Sequence, residues 1–143
     1  MRVSAKAEYA CLAVLELAAN HAHAQPVRVK AIADAHGISM RFLVQILLQL
    51  KGAGLVVSTR GASGGYHLTR PPDKISLADV IHVIDRPPPR ADSTALPQSP
   101  ALRAIRHVWQ EIQSEEERVL EEMTFADLAR QAQQFTSGLS YQI

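Results

Sequence analysis

Arg41 and Gln45 stand four residues apart in the run Ser39-Met40-Arg41-Phe42-Leu43-Val44-Gln45-Ile46-Leu47. That spacing places a guanidinium and a carboxamide on one helix face. These are the side chains that bond guanine and adenine bidentately, each good pair being worth roughly 1–3 kcal/mol of discrimination. Further along, Arg60 opens Arg60-Gly61-Ala62-Ser63-Gly64-Gly65-Tyr66. An arginine on a tight turn suits a narrow minor groove, where A/T tracts concentrate negative potential. Gly61, Gly64 and Gly65 permit that turn and a close backbone approach, with Ser63 among them. Tyr66 is expected to pack at the base of the turn, its hydroxyl within reach of a phosphate. Lys6, Tyr9, Lys30, Ser39 and Arg70, basic or small polar groups near helix ends, are the expected phosphate contacts. Phe42 has two readings, a thymine-methyl contact or a partly buried core aromatic.

Other chemistries fit less well. The glycine run lacks a following Lys-Ser/Thr and does not open a helix, so it is not a nucleotide-binding phosphate loop. The chain shows no nucleophile–base pairing and no paired carboxylates, and it does not read as an enzyme. His21 and His23 sit two apart with no third ligand nearby, a poor zinc geometry, and read as a solvated linker. Asp79, His82 and Asp85 lie at helical spacing and read as a solvated helix face rather than a metal site. Cys11 is the one cysteine, which excludes a disulfide framework and an intrachain thiolate metal site. Within an apolar helix it reads as a buried, inert thiol. No metal and no cofactor are expected.

The elements that must hold these residues can be read in order. Ser4 to Ala19 is rich in strong helix formers, and Pro26 forbids its continuation. Val27-Arg28-Val29 is a β-like segment expected beside the glycine-rich turn. Lys30 to His36 is a short helix ended by Gly37 as a left-handed cap. Ser39 then starts a helix whose apolar stripe is Leu43, Ile46, Leu47 and Leu50. Leu55 to Thr59 and Tyr66 to Thr69 flank the glycine turn as a β-hairpin. Ser76 with Asp79, and Thr124 with Asp127, resemble capping boxes opening two further helices. The second of these is expected to end at Thr136-Ser137-Gly138, leaving Leu139 to Ile143 as a tail. Between them, Arg86 to Pro100 is proline-rich and reads as an extended loop. Ala101 to Met123 is the longest helical pattern. Leu102, Ile105, Trp109, Ile112, Val119 and Met123 recur along it at 3-4 spacing, with Glu116 interrupting. Ala101 and Val108 widen the stripe.

The run Arg60 to Leu68 resembles the wing of the Rrf-two (BadM) family of bacterial winged helix-turn-helix transcription regulators. Ile38 to Leu47 resembles that family's recognition helix, and Lys6-Ala7-Glu8-Tyr9-Ala10 its first helix. The resemblance implies a mainly α fold with a small β-hairpin wing (α+β), a winged helix-turn-helix domain carrying a long dimerisation helix. It implies a DNA-binding regulator acting by occupancy, repression being the commonest mode. Cluster-binding members carry three cysteines in the region of residues 86–100, where this chain has none. An iron–sulfur cluster is therefore not expected, because thiolates hold such clusters. Glu8, near the place of an acidic ligand in some relatives, reads as a surface carboxylate or a contact to a neighbouring basic group.

Charge divides the chain in the same sense. Residues 1–70 hold eight Lys and Arg against three Asp and Glu, and residues 71–143 hold seven against eleven. A basic half joined to an acidic half suits a nucleic-acid reader with a separate assembly or sensing part. The expected organisation is a DNA-binding domain over 1–85, a loop over 86–100, and dimerisation and C-terminal helices over 101–143. The long apolar seam is covered by a second copy or packs back on its own domain; the homodimer is preferred. The expected partners are double-stranded DNA, a second copy, and a small-molecule or protein effector of unspecified kind. No run approaches the roughly 20 apolar residues of a membrane span, and the expected location is cytoplasmic. The competing reading is a winged-helix protein-interaction module. The basic and amide groups at Arg41, Gln45 and Arg60 weigh against it.

Overall fold

The computed structural model of the chain describes residues 1–23, 25–86 and 99–141. Among these residues, six α-helices and one hairpin follow in order: α1 (Ala5–Ala19), α2 (Val29–His36), α3 (Met40–Gly52), β1 (Val56–Thr59), β2 (Gly65–Leu68), α4 (Leu77–Ile84), α5 (Pro100–Glu122) and α6 (Phe125–Tyr141). The fold is mostly helical with a two-stranded antiparallel wing, as expected. Among the described residues, no single helix is long and apolar enough to cross a membrane.

The core forms where α1, α3 and α4 meet, and it is closed from below by the start of α6. The α1 face turned inward is small. Ala7, Ala10 and Ala13 are fully buried beside Val14 and Leu17. Alanine suits both demands here, a strong helix former whose methyl lets neighbouring helices approach closely. Against it lie Leu43, Ile46, Leu47 and Leu50, the whole predicted stripe of α3, each fully buried. Ile75, Val80 and Phe125 complete the cluster.

Phe125 is the nonlocal member. The N-terminal ends of α4 and α6 lie side by side, joined by an antiparallel bridge between Ser76 and Thr124. Leu77 N–H donates to the Met123 carbonyl at 2.8 Å, and Phe125 N–H donates to the Ile75 carbonyl at 2.9 Å. Both predicted capping boxes form at this junction. Ser76 Oγ accepts from Asp79 N–H at 3.2 Å while Asp79 Oδ2 accepts from Ser76 N–H at 2.9 Å. Thr124 and Asp127 make the same reciprocal pair at 3.1 Å each.

Several boundaries differ from expectation. Only Val27 of the predicted β-like segment pairs with the wing; Arg28 is already the N-cap of α2. Pro100 belongs to α5, at a first-turn position where its missing N–H costs no hydrogen bond. Ser99 caps that helix by accepting from Leu102 N–H at 3.1 Å. The expected stop at Thr136-Ser137-Gly138 does not occur, and α6 runs on to Tyr141. A mid-helix glycine costs only about 1 kcal/mol, and Thr136 Oγ1 donates back to the Ala132 carbonyl at 3.1 Å instead of breaking the turn. The proline-rich stretch, save Arg86, Ser99 and Pro100, lies outside the described residues.

Asp85, just past α4, holds the first residue of the fold in place. Its Oδ2 accepts from Ser4 N–H at 2.9 Å and its Oδ1 from Ser4 Oγ at 2.6 Å, while Ser4 Oγ caps α1 by accepting from Ala7 N–H at 3.0 Å. The bonds from the Ser4 hydroxyl, then from the Ser4 backbone, draw the Asp85 pKa below its ordinary value of 3.8. A carboxyl whose folded pKa is depressed binds protons more readily in the unfolded chain. Its contribution is present above the unfolded pKa and is lost as pH falls through the folded one. Ser4→Ala is expected to lower stability by about 1 kcal/mol at neutral pH, the usual worth of an N-cap. Between about pH 5 and about pH 3 it should also lose less stability than the parent chain. Urea midpoints at both pH values check this, and parallel losses in the two proteins would contradict it.

Candidate nucleic-acid interface

The α2–turn–α3 unit is built on two local devices. Gly37 takes φ 63°, the left-handed conformation that ends α2. Ser39 then starts α3, its hydroxyl oxygen accepting from Phe42 N–H at 3.4 Å. With Leu43, Ile46, Leu47 and Leu50 buried, the outer face of α3 presents Met40, Arg41, Val44, Gln45, Leu48 and Gln49 to solvent. Among the described residues, Arg41 and Gln45 have no hydrogen-bond or ion-pair partner, nor has Arg60. Three unpartnered groups capable of bidentate or groove contacts thus lie on the outer face of α3 and on the turn of the hairpin.

The wing is held to this unit at three points. Thr69 Oγ1 donates to the Gly54 carbonyl at 2.6 Å, closing the base of the hairpin. Lys51 Nζ, in the last turn of α3, donates to Ser58 Oγ on β1 at 2.8 Å. On the far edge of β2, Val27 and Tyr66 exchange two backbone hydrogen bonds of 2.8 Å each. The last contact depends on glycine. A Cβ at Gly65 would lie 2.5 Å from the Val27 carbonyl oxygen, and one at Gly64 would lie 2.3 Å from the Thr59 carbonyl oxygen. The glycines therefore serve packing at the wing root as well as the turn that carries Arg60.

The other predicted site residues are distributed as follows. Phe42 is half-buried and meets the Tyr9 ring edge-on, the centroids 5.7 Å apart and the planes at 88°. Of its two readings the core aromatic matches this placement, and Tyr9 joins it at the α1–α3 contact. Ser63 lies exposed on the turn, while Tyr66 is half-buried at the wing root. Lys30 and Arg70 are exposed but engaged, Lys30 with Asp34 at 3.5 Å and Arg70 with Asp79 at 3.4 Å. At such exposure these pairs hold their cations weakly. Lys6 is half-exposed on the first turn of α1. Arg28 was missed. It is exposed, lacks a partner among the described residues, and its backbone N–H neighbours Gly65. Its position as an N-cap hid it, because small polar residues are expected there.

The weak metal candidates separate. Asp79 is spent on the capping box and Arg70, His82 lies 3.2 Å from the Glu117 carboxylate of α5, and Asp85 holds Ser4. Glu117 thus turns toward α4. Among the described residues no three His, Cys, Asp or Glu side chains form a group able to hold a metal ion.

Four of the six predicted seam residues along α5 are uncovered among the described residues. Ile105, Trp109, Ile112 and Val119 are 51%, 59%, 46% and 49% exposed. Leu102 and Met123 at its two ends are half-buried. A hollow of about 540 Å³ lies on this face, lined by Met1, Ile112, Val119 and Leu120 among others.

The family model for Rrf2, described as an iron-dependent transcriptional regulator, matches residues 3–131. A Mycobacterium tuberculosis protein described as an HTH-type transcriptional regulator is 43% identical over 132 residues, covering 90% of this chain and 81% of that protein. The solved structure of CymR, the global cysteine regulator of Bacillus subtilis, matches with a TM-score of 0.80 at 35% identity, over 91% of this chain and 97% of that one. The structure of IscR from T. potens matches with a TM-score of 0.76 at 34% identity, over 92% and 88% of the two chains. The iron in the family's description invites a test of the donor set here. Cys11 is the one cysteine, half-buried in α1, and burial first, then the charges of Glu8 and Asp85, push its pKa up to about 11. A single thiol that resists ionisation does not fit a cysteine-ligated cluster, which takes several thiolates.

Proposed function

The chain belongs to the Rrf2 family of transcriptional regulators, and from that premise we propose that it represses transcription by occupying a palindromic operator as a homodimer. In this reading α3 enters the major groove, with Arg41 bonding a guanine and Gln45 an adenine. Arg60 on the wing enters the adjoining minor groove, where its guanidinium meets the focused potential of an A/T tract. Lys6, Tyr9, Lys30, Ser39 and Arg70 take phosphates, which set register rather than sequence. Phe42 stays with Tyr9 and supports the helix from behind. Gly61, Ser63, Gly64, Gly65 and Tyr66 shape and brace the wing. The observation that carries the reading is the trio Arg41, Gln45 and Arg60, exposed and without partners among the described residues on two elements tied together by backbone and side-chain bonds.

The second copy is assigned to α5. Four large apolar side chains on one helix face, each about half-exposed, make a patch that a monomeric surface rarely carries. A matching helix related by a two-fold axis would cover it and fill the hollow beside Met1. Residues 1–85 then form the DNA-binding part and 101–143 the assembly part. Phe125 and the Ser76–Thr124 bridge make the junction stiff. Two recognition helices on one face of a duplex require half-sites about one helical turn apart, or a multiple of it. The regulator works where its DNA is, in the cytoplasm. Its signal reaches it by a route other than a cysteine-ligated cluster, through a small molecule or a protein partner.

Two variants test the two halves of this reading. Arg60→Ala should weaken specific binding by about tenfold or more, whereas Glu121→Ala should leave it nearly unchanged. Binding titrations of both at one fixed salt concentration measure the difference, and equal affinities would count against the wing. Trp109→Glu should convert the dimer to a folded monomer, seen by sedimentation with helical content retained. A Trp109→Glu protein that sediments as a dimer would place the interface elsewhere.

A further inference from the structure

The outer face of α3 is not uniformly polar. Met40, Val44 and Leu48 are 47%, 37% and 55% exposed, and they recur every four residues in single file. Nothing among the described residues covers them. A contiguous file of apolar side chains on an exposed helix face is a candidate contact surface, and its surroundings say what it fits. Asp and Glu are absent from the sequence of α3, which carries Arg41 and Lys51. The two polar groups flanking the ridge in its first turns, Arg41 and Gln45, have no partner among the described residues. A ridge set among unpartnered hydrogen-bonding groups, on a helix without negative charge, complements a polyanion that also offers apolar spots. Duplex DNA does so in one way, through the thymine 5-methyl group, the apolar feature of the major-groove edge.

We propose that Met40 and Val44 read thymine methyls, so that each half-site is specified by apolar contacts interleaved with the polar contacts of Arg41 and Gln45. The inference rests on the DNA-binding reading above and adds to it a named base preference. The first turns of a recognition helix are the part that reaches base edges. The far end of α3 is tied to the wing through Lys51 and Ser58. Met40 and Val44 are separated by about 6 Å along the helix axis, four residues at 1.5 Å each. This is close to two base-pair steps, so the two methyls belong to thymines about two steps apart. Leu48 continues the ridge a further turn toward the tied end and is assigned no base.

The test needs duplexes that differ only in methyl groups. The operator is first enriched from a random duplex pool with the purified full chain. A second duplex then carries deoxyuridine in place of thymine in both half-sites. Anisotropy titrations at one salt concentration compare the two. The parent chain should bind the deoxyuridine duplex about fourfold more weakly for each methyl contacted, the value of one buried methyl-sized group. The Met40→Ala/Val44→Ala double variant should bind the two duplexes equally. Both side chains are exposed, and an unchanged thermal unfolding midpoint verifies that the variant is folded. Equal binding of both duplexes by the parent chain, a deoxyuridine penalty that persists in the double variant, or an enriched half-site without thymine would each overturn the proposal while leaving specific DNA binding intact. Failure to enrich any sequence would overturn the DNA-binding reading itself, and the proposal with it.

Discussion

The orientation of the wing depends on a contact with no side chain in it. Val27 and Tyr66 pair backbone to backbone, and the carbonyl of Val27 occupies the space that a Cβ on Gly65 would need. Val27 immediately precedes Arg28 and α2, so this pairing ties the wing to the start of the helix-turn-helix. Lys51–Ser58 ties the other strand to the end of α3. The hairpin is thus held at both edges, to the two helices between which the turn at Gly37 lies. A two-stranded hairpin alone is marginal in water. Its position here comes from these ties and from burial of Val56 and Leu68 in the common core.

The same economy appears at the other end of the molecule. Two capping boxes, Ser76–Asp79 and Thr124–Asp127, stand side by side and share a backbone bridge. Each satisfies N–H groups that a helix leaves open at its start. The bridge then delivers Phe125 into the core beneath Ile75. The consequence for function is mechanical. The helix that carries the exposed apolar face, α5, leads directly into this junction, so that face and the exposed face of α3 are connected through packed core.

Much of this was legible in the sequence because it is local. The α3 stripe, the Gly37 cap, the Ser39 start and both capping boxes are short-range patterns, and each formed as expected. The wing was legible from its glycines, although their crowding against Val27 and Thr59 was not, since it arises only when distant segments meet. The burial of Phe125 with Ile75 is not local, since it depends on a bridge across some fifty residues of chain. Gly138 reads in the sequence as a stop for α6, but a single glycine costs too little to end a helix, and α6 runs past it. Arg41, Gln45 and Arg60 stand out in the sequence by residue type and spacing. The structure adds that they lack partners among the described residues, and that an apolar ridge runs beside Arg41 and Gln45 on α3, a feature that counting charged and amide groups passes over.

A rigid tie between wing and helix-turn-helix is the claim on which the DNA-binding account rests, and Gly65 is where it is most exposed to test. Substituting Gly65→Ala adds one methyl where the Val27 carbonyl oxygen stands 2.5 Å away. The most direct measurement is the amide hydrogen exchange of Val27 and Tyr66 in that variant, followed together with core amides of α1 and α3. The account predicts that Val27 and Tyr66 lose their protection while Val14 and Leu47 keep theirs. Retained protection at Val27 and Tyr66 would show that the wing is not held by this contact, and would contradict the account.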